Sequence, residues 1–575
     1  MAVPRRRVTR GATPTPIVSG ALNIHPAIGI ARLGNDTTSF FLGPEIPGAG
    51  PVGADSGVGT PVTGGPFSGF KTAASTVKRQ AQRFYIFLHP AAGPPIEANL
   101  NNPQVKSIVW NVHLANKKAR FFPFNGQQGN SAGSVYTPPP PPIRPRNDGE
   151  SPLNTIIDPG KPLSISGKSQ GPKKIDFRMG GQWPIHKQTG KVVIGLLGEL
   201  FTDSAGRLVV LGGRGTTRPF SDPPRQLRNY ANNDGWLDDV SDGFVSATVT
   251  MQNGFVAVAR SSWILVGPPD FAPDVRHVVT LYDTLWDVAA NNPSIPIPNL
   301  PMFQQEPLVR LSTIRSNKAA YRPHLSADIT PFMQAVVDQA EVVKGITHGM
   351  PKAALASNAD GGVTAFLRPP AGNRVFNLAL GSMPFLYGDD AVTNPRSNHA
   401  ALSVTASQFL NLERWRDGKF DNPPLPTTVT PEGLDRAALE ACVGGAFSPG
   451  IEVSWMIRNP NLFEAPFRLK PVGTVLNPAM TPPLKIEPGL FSQQMALPWQ
   501  ADFYSCADGP APDGTPTPTY AWWPANRPID VKKNGTLVRW DRGLAPNQGA
   551  LIAGWPTRGF VVKGGGGFSE QGGPP

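Results

Sequence analysis

Within residues 497–528, LPWQADFYSCADGPAPDGTPTPTYAWWPANRP, Asp502 stands four positions before Cys506. A Pro/Gly-rich stretch then leads to Trp522, Trp523 and Pro524. The chain has two cysteines, Cys442 and Cys506. A secreted disulfide scaffold would carry more, which leaves free thiols, a single disulfide, or one reactive cysteine with special chemistry. A carboxylate can act as a general base where burial lifts its pKa towards the operating pH. The ordinary alternative is a structural cysteine beside core tryptophans, and composition alone favours it.

Other motifs carry less. The glycine-rich run at 212–215 is followed by no P-loop lysine and reads as a turn. HExxH and CxxC are absent, so zinc has no support. Gly-x-Ser-x-Gly occurs at 129–133 and 167–171, in polar Pro/Gly-rich stretches rather than between a strand and a helix, so both copies read as loops. Residues 233–243, NDGWLDDVSDG, hold four aspartates. Oxygen ligands at that density can hold calcium, but the spacing does not fit an EF-hand. A turn whose side chains cap backbone amides is the preferred reading.

The elements that must position these residues are mostly short strands. Residues 84–88 and a stretch within 106–116 are strand candidates rich in aromatic and β-branched residues. Residues 192–200 and 208–211 flank a turn at 203–206. Residues 244–252 and 255–259 flank Asn253-Gly254, the pair that supplies positive φ in a tight hairpin. Apolar spacing predicts helices over 275–290, 330–344, 405–418 and 434–442. The third has Thr405 as N-cap and ends at Gly418. Five prolines at 138–142 predict an extended polyproline connector.

The expected fold is α+β and β-rich: mostly antiparallel sheets, a few helices in the second half, and long Pro/Gly-rich loops. The expected organisation is a mobile basic tail at 1–20, a β-rich domain at 21–300, a second domain at 301–563 carrying the site, and a flexible tail at 564–575. The 575 residues include 61 Gly and 66 Pro, and only 16% are charged. That low charge excludes a solvated disordered chain. The net charge of +12 would suit an anionic partner, but the basic residues are scattered apart from 5–7, so no nucleic-acid partner is expected. No run of about twenty apolar residues suggests a membrane span. Residues 1–20 lack an apolar core, so no signal peptide is read and cytoplasmic synthesis is expected, with export left open.

Several stretches resemble the LodA-like family of quinone-dependent amino-acid oxidases, which includes lysine ε-oxidase and glycine oxidase. They are IHPAIGIARLGN (24–35), VKRQAQRF (77–84), GEL (198–200) with 208–213, 233–247, VGPPDFAP (266–273), ACVGG (441–445), PGIEVSW (449–455) and LPWQADF (497–503). They run in order from about 23 to 530, which a chance match to one motif would not do.

The resemblance implies a cysteine tryptophylquinone, in which a cysteine sulfur is joined to an indole oxidised to an ortho-quinone. Cys506 matches the cysteine and Trp523 its partner, with Trp522 in reserve. Asp502 matches the aspartate needed for maturation and is the best candidate base. Cys442 matches a second cysteine near the family's active site that does not form the cofactor. His399 matches, loosely, a substrate-side histidine, and an exposed loop histidine is the equal alternative. The implied reaction is oxidative deamination of an amino acid or other primary amine, with O2 reduced to H2O2 and NH3 released. A separate flavoprotein would mature the chain, and a homo-oligomer is compatible with the family. The interval from Cys506 to Trp523 is shorter than in the best-known member and no lysine lies between Cys506 and Arg527, so lysine as substrate does not carry over.

Two rival readings stand beside this one. A quinone-free relative with a binding or structural role would use Cys506 and Trp523 as core residues; Asp502 at the matching offset argues against it. An unrelated β-rich surface or nucleic-acid-binding protein is opposed by the ordered matches.

Overall fold

The computed structural model describes all residues except 1–19, 55–64, 91–92, 122–143, 298–305, 345–363, 365–366, 369, 371–383, 390, 392–399, 446–451, 454, 479–482, 512–513, 515–518 and 545–546. The polyproline run 138–142, the copy of Gly-x-Ser-x-Gly at 129–133, nearly all of the N-terminal tail and His399 lie outside the described residues.

One 13-stranded sheet occupies the first half of the chain. Its path runs Leu163–Ser166, Val105–Ala115, Ser241–Met251, Val256–Gly267, Gly20–His25, Arg79–Pro90, Leu208–Gly212, Leu196–Thr202 and Lys173–Asp176. Pairing is mostly antiparallel, with Ile28–Arg32 added parallel to Val256–Gly267. Val105–Ala115 alternates buried and accessible residues, as a strand with one solvated face does. Arg79–Pro90 is buried nearly throughout although it reads RQAQRFYIFLHP. Its polar side chains are therefore paired: Arg79 with Glu199 at 2.6 Å, Arg83 with Glu45 at 2.5 Å, and Gln82 accepts the Ile30 N–H at 3.0 Å.

The α-helices among the described residues begin at Leu281, so the β-rich α+β expectation with helices in the second half holds. Leu281–Asn291 starts six residues later than the apolar spacing suggests, because Thr280 and Asp283 form a capping box there. Ala406–Arg416 follows its sequence signals: Thr405 caps it, and Gly418 takes φ +68° after it. Thr330–Asp338 ends early and tightens into a 3-10 turn at Gln339–Glu341. The fourth expected helix, 434–442, forms as Pro431–Glu440: Thr430 caps it so that it starts three residues earlier, and it ends two residues short.

Two turns differ from expectation. At 253–254 only Gly254 adopts positive φ, +86°. The Gly254 N–H bonds to the Met251 carbonyl and the Met251 N–H to the Phe255 carbonyl, so the connection is wider than a two-residue turn. The glycines at 564–567 do not open a flexible tail. They turn a hairpin between Phe560–Gly564 and Gly567–Gln571, closed at Gly564 and Gly567, with Phe568 buried. Nor does the core divide near 300. The largest buried cluster contains Ile24, Phe84 and Val245 of the sheet together with Cys506, Trp522 and Trp523.

Candidate active site

The short helix Trp499–Ser505 carries Asp502 and delivers Cys506 at its end. The acidic segment 233–243 fixes that helix. Asp238 accepts from the Trp499 N–H at 3.1 Å and from Lys118 Nζ at 2.7 Å, and all three groups are buried. Asn233 donates to the Leu497 carbonyl at 3.0 Å, and the Leu497 N–H reaches the Ala231 carbonyl at 2.8 Å. The other aspartates also accept from backbone amides: Asp234 from Asn147, Asp239 from Arg214, and Asp242 from Phe491 and Ser492. The capping reading of this segment therefore holds. No group of three or more potential ligands fit for a metal ion occurs among the described residues.

The Cys506 N–H bonds to the Asp502 carbonyl at 2.8 Å, one helical turn back. That spacing puts both side chains on one face. Asp502 has no solvent exposure, and neither carboxylate oxygen has a conventional hydrogen-bond partner. The Cys506 thiol is the polar group that faces it. Burial raises the Asp502 carboxyl well above the usual carboxylate range, against the pull of the thiol and of Lys118. Burial, and then the neighbouring Asp502 charge, raises the Cys506 thiol, with Arg527 opposing both. The phenol of Tyr230 is also raised, by burial first and then by Cys506 and Asp502.

Past Cys506 the chain enters a two-stranded ladder. Asp508 pairs with Ala521 and Gly509 with Tyr520. The ladder begins two residues after Cys506 and ends two residues before Trp523, so it draws their two segments together. Trp523 is 2% exposed. Trp522 packs instead on Tyr387, ring centroids 4.9 Å apart, and lies 5.6 Å from the Trp523 ring. The turn after Trp523 is closed by the Arg527 N–H on the Trp523 carbonyl at 2.9 Å. The buried Arg527 guanidinium reaches back to the Phe503 carbonyl at 2.7 Å, tying the turn to the Asp502 helix.

Cys442 is fully buried in a second core cluster, apart from that of Cys506. Both thiols are free. Burial raises the Cys442 thiol, and the adjacent Glu452 adds to this. Tyr230, Tyr387, Lys118, Glu452, Asn526 and Arg527 were not singled out in the sequence. Glu452 falls within the matching stretch 449–455, and Asn526 and Arg527 follow Trp523-Pro524 after Ala525.

A 13-stranded, mostly antiparallel sheet with a Cys–Trp site anchored on its acidic segment defines the class. Residues 25–266 match the family model for the L-lysine epsilon oxidase N-terminal region, and residues 386–524 the one for its C-terminal domain. A relative, L-lysine 6-oxidase of Marinomonas mediterranea, is 30% identical over 541 residues, covering 84% of this chain and 71% of its own length. The crystal structure of the Schiff base intermediate of L-Lys epsilon-oxidase from Marinomonas mediterranea with L-Lys superposes with a TM-score of 0.76 at 24% identity, over 96% of this chain and 95% of that one. A structure of the epsilon-lysine oxidase from the same organism gives 0.76 at 25% identity with the same coverage. The chain belongs to the LodA-like, lysine ε-oxidase family.

Proposed function

We propose that the chain is an amino-acid oxidase acting on a CH–NH2 group through a cysteine tryptophylquinone made from its own Cys506 and Trp523. The observation that carries this reading is the Asp502 carboxyl, fully buried with the Cys506 thiol as its polar partner. Burying a carboxyl against a donor as weak as a thiol costs free energy, so such groups call for a functional explanation. A quinone-free relative would have no use for it. The residues also fit the group: the ladder draws the segments of Cys506 and Trp523 together.

When formed, such a quinone supplies an electrophilic carbonyl for a primary amine and a sink for its electrons, with O2 as acceptor and H2O2 and NH3 as products. The protein's own groups do the rest. Asp502, one helical turn from Cys506, would take the thiol proton when the Cys506 S–H and a Trp523 ring C–H give way to one C–S bond, with the two electrons and the second proton passing to the flavoprotein partner as oxidant. The same carboxyl, kept weakly acidic by burial, serves as the general base at the substrate carbon. Trp522 packs against the Trp523 indole and Tyr387 packs in turn against Trp522, covering that side of the site. A flavoprotein partner matures the chain, and the substrate is an amino acid or other primary amine.

The test is peroxide and ammonia release from a panel of amino acids under O2, after co-expression with a flavoprotein maturation partner. Equimolar release by wild type and none by Cys506→Ala is expected. Equal release by both proteins would refute the reading.

A further inference from the structure

Glu452 joins three segments that are remote in sequence. Its Oε1 accepts from the Arg32 guanidinium and from Asn526 Nδ2 at 2.5 Å, and its Oε2 from the Val443 N–H at 2.8 Å. The carboxylate is 3% exposed and Asn526 1%. Burial works to raise Glu452, but Arg32 and then His277 outweigh it, so the group stays below the usual range. Arg32 in turn spans to the Pro268 carbonyl at 3.1 Å and the Ala441 carbonyl at 2.5 Å. The charge is thus fixed to strand Ile28–Arg32 and to the backbone around Cys442.

Asn526 belongs to the turn that follows Trp523. Its side chain is taken by Glu452, and its carbonyl accepts the Phe271 N–H at 3.0 Å. The next residue, Arg527, closes the turn on the Trp523 carbonyl and grips the helix that precedes Cys506. Two successive side chains therefore hold this turn from opposite directions, one towards the sheet and one towards the Cys506 helix. Neither touches a reacting atom. Their effect is to leave the Trp523 backbone one position relative to Cys506.

We infer that Asn526, held by Glu452, is a positioning residue that sets the Trp523 indole against Cys506 for cross-linking and for turnover. The inference rests on the proposed quinone reading. An N–H donated to a fixed carboxylate is a charge-assisted bond, and a buried supporting shell sets how closely a reacting group is placed. A displacement of about 1 Å at a reacting centre costs on the order of a hundredfold in rate.

The test uses the full chain co-expressed with the flavoprotein, as wild type and Asn526→Ala. Intact mass and peptide maps give the cross-linked fraction, and absorbance gives the quinone band. Amine titration gives kcat and KM, and a thermal melt reports the fold. The variant leaves Glu452 paired with Arg32 and Val443, so it should fold. Its cross-linked fraction should fall and its quinone band should shift. The cross-linked molecules should lose about tenfold to a hundredfold in kcat with KM within about twofold. If Asn526→Ala does not accumulate, Asn526→Leu, which keeps the volume and removes the donor to Glu452, takes its place in the same comparison. A cross-linked wild type with an equally cross-linked, spectrally identical and equally active variant overturns this inference and leaves the quinone reading standing. An unmodified wild type overturns both.

Discussion

Asp508 pairs with Ala521, so the segments that lead away from Cys506 and towards Trp523 are hydrogen-bonded to each other two residues from both. Trp522, one residue before Trp523, packs on Tyr387. The quinone reading takes Trp523 as the cross-linked tryptophan and Trp522 as its packing neighbour. Trp523→Phe should abolish the cross-link, whereas Trp522→Phe should leave it formed. A peptide map of each variant decides, and a cross-link surviving in Trp523→Phe would contradict the assignment.

Asp502 should be dispensable for folding and required for maturation. Its carboxyl is buried with only the Cys506 thiol facing it, so Asp502→Ala removes a desolvation penalty as well as some volume. The melting temperature of Asp502→Ala should stay within a few degrees of the unmodified wild type, while its mass shows no quinone. Full maturation of the variant would refute the role.

Asp238 should matter for stability far more than its place in an acidic loop suggests. It is the counter-ion of fully buried Lys118 and accepts the first N–H of the Asp502 helix. Removing one partner of a buried pair costs about 3–5 kcal/mol. Asp238→Ala should lose that much in denaturant unfolding, and Asp238→Leu combined with Lys118→Met should recover a large part of it.

Asp239 provides a test by pH. Burial raises its carboxyl to about 7, against about 3.9 in an unfolded chain. A group raised in the folded state contributes stability that is full below the unfolded value and is lost as pH climbs through the folded one. The Asp239 contribution should therefore be lost between about pH 4 and pH 7, and the difference in stability between wild type and Asp239→Asn should change over that range. Melting curves across the range measure it, and an unchanged difference would contradict the assignment.

Thiol counts provide a further check. Both cysteines are buried with raised pKa values, so the native chain should react slowly with a thiol reagent. After denaturation the immature chain should titrate both thiols, and the matured chain only Cys442. Two reactive thiols in a fully matured, denatured sample would exclude a thioether at Cys506.

Local features were legible in the sequence because their physics is local. Thr405 caps the helix it precedes, Gly418 ends it, and Asp203 and Gly206 turn their hairpin within a few residues. Asp502, Cys506 and Trp523 were legible as residue types at a spacing. The supports of that trio were not, because they depend on the tertiary fold. Lys118 meets Asp238 120 positions away, Asn526 meets Glu452 74 positions away, and Arg32 meets Glu452 420 positions away. The glycine run at 564–567 misled for a related reason. Glycine serves a linker and a tight turn equally well, and the buried Phe568 decides for the turn.

The most direct test of the central claim is the intact mass of the chain co-expressed with a flavoprotein of the proposed maturation type, followed by a peptide map. The account predicts the gain of two oxygens and the loss of four hydrogens, with the Cys506 and Trp523 peptides recovered as one linked species. An unmodified mass, with the two peptides recovered separately, would contradict it and leave Cys506 as a packing residue of the core.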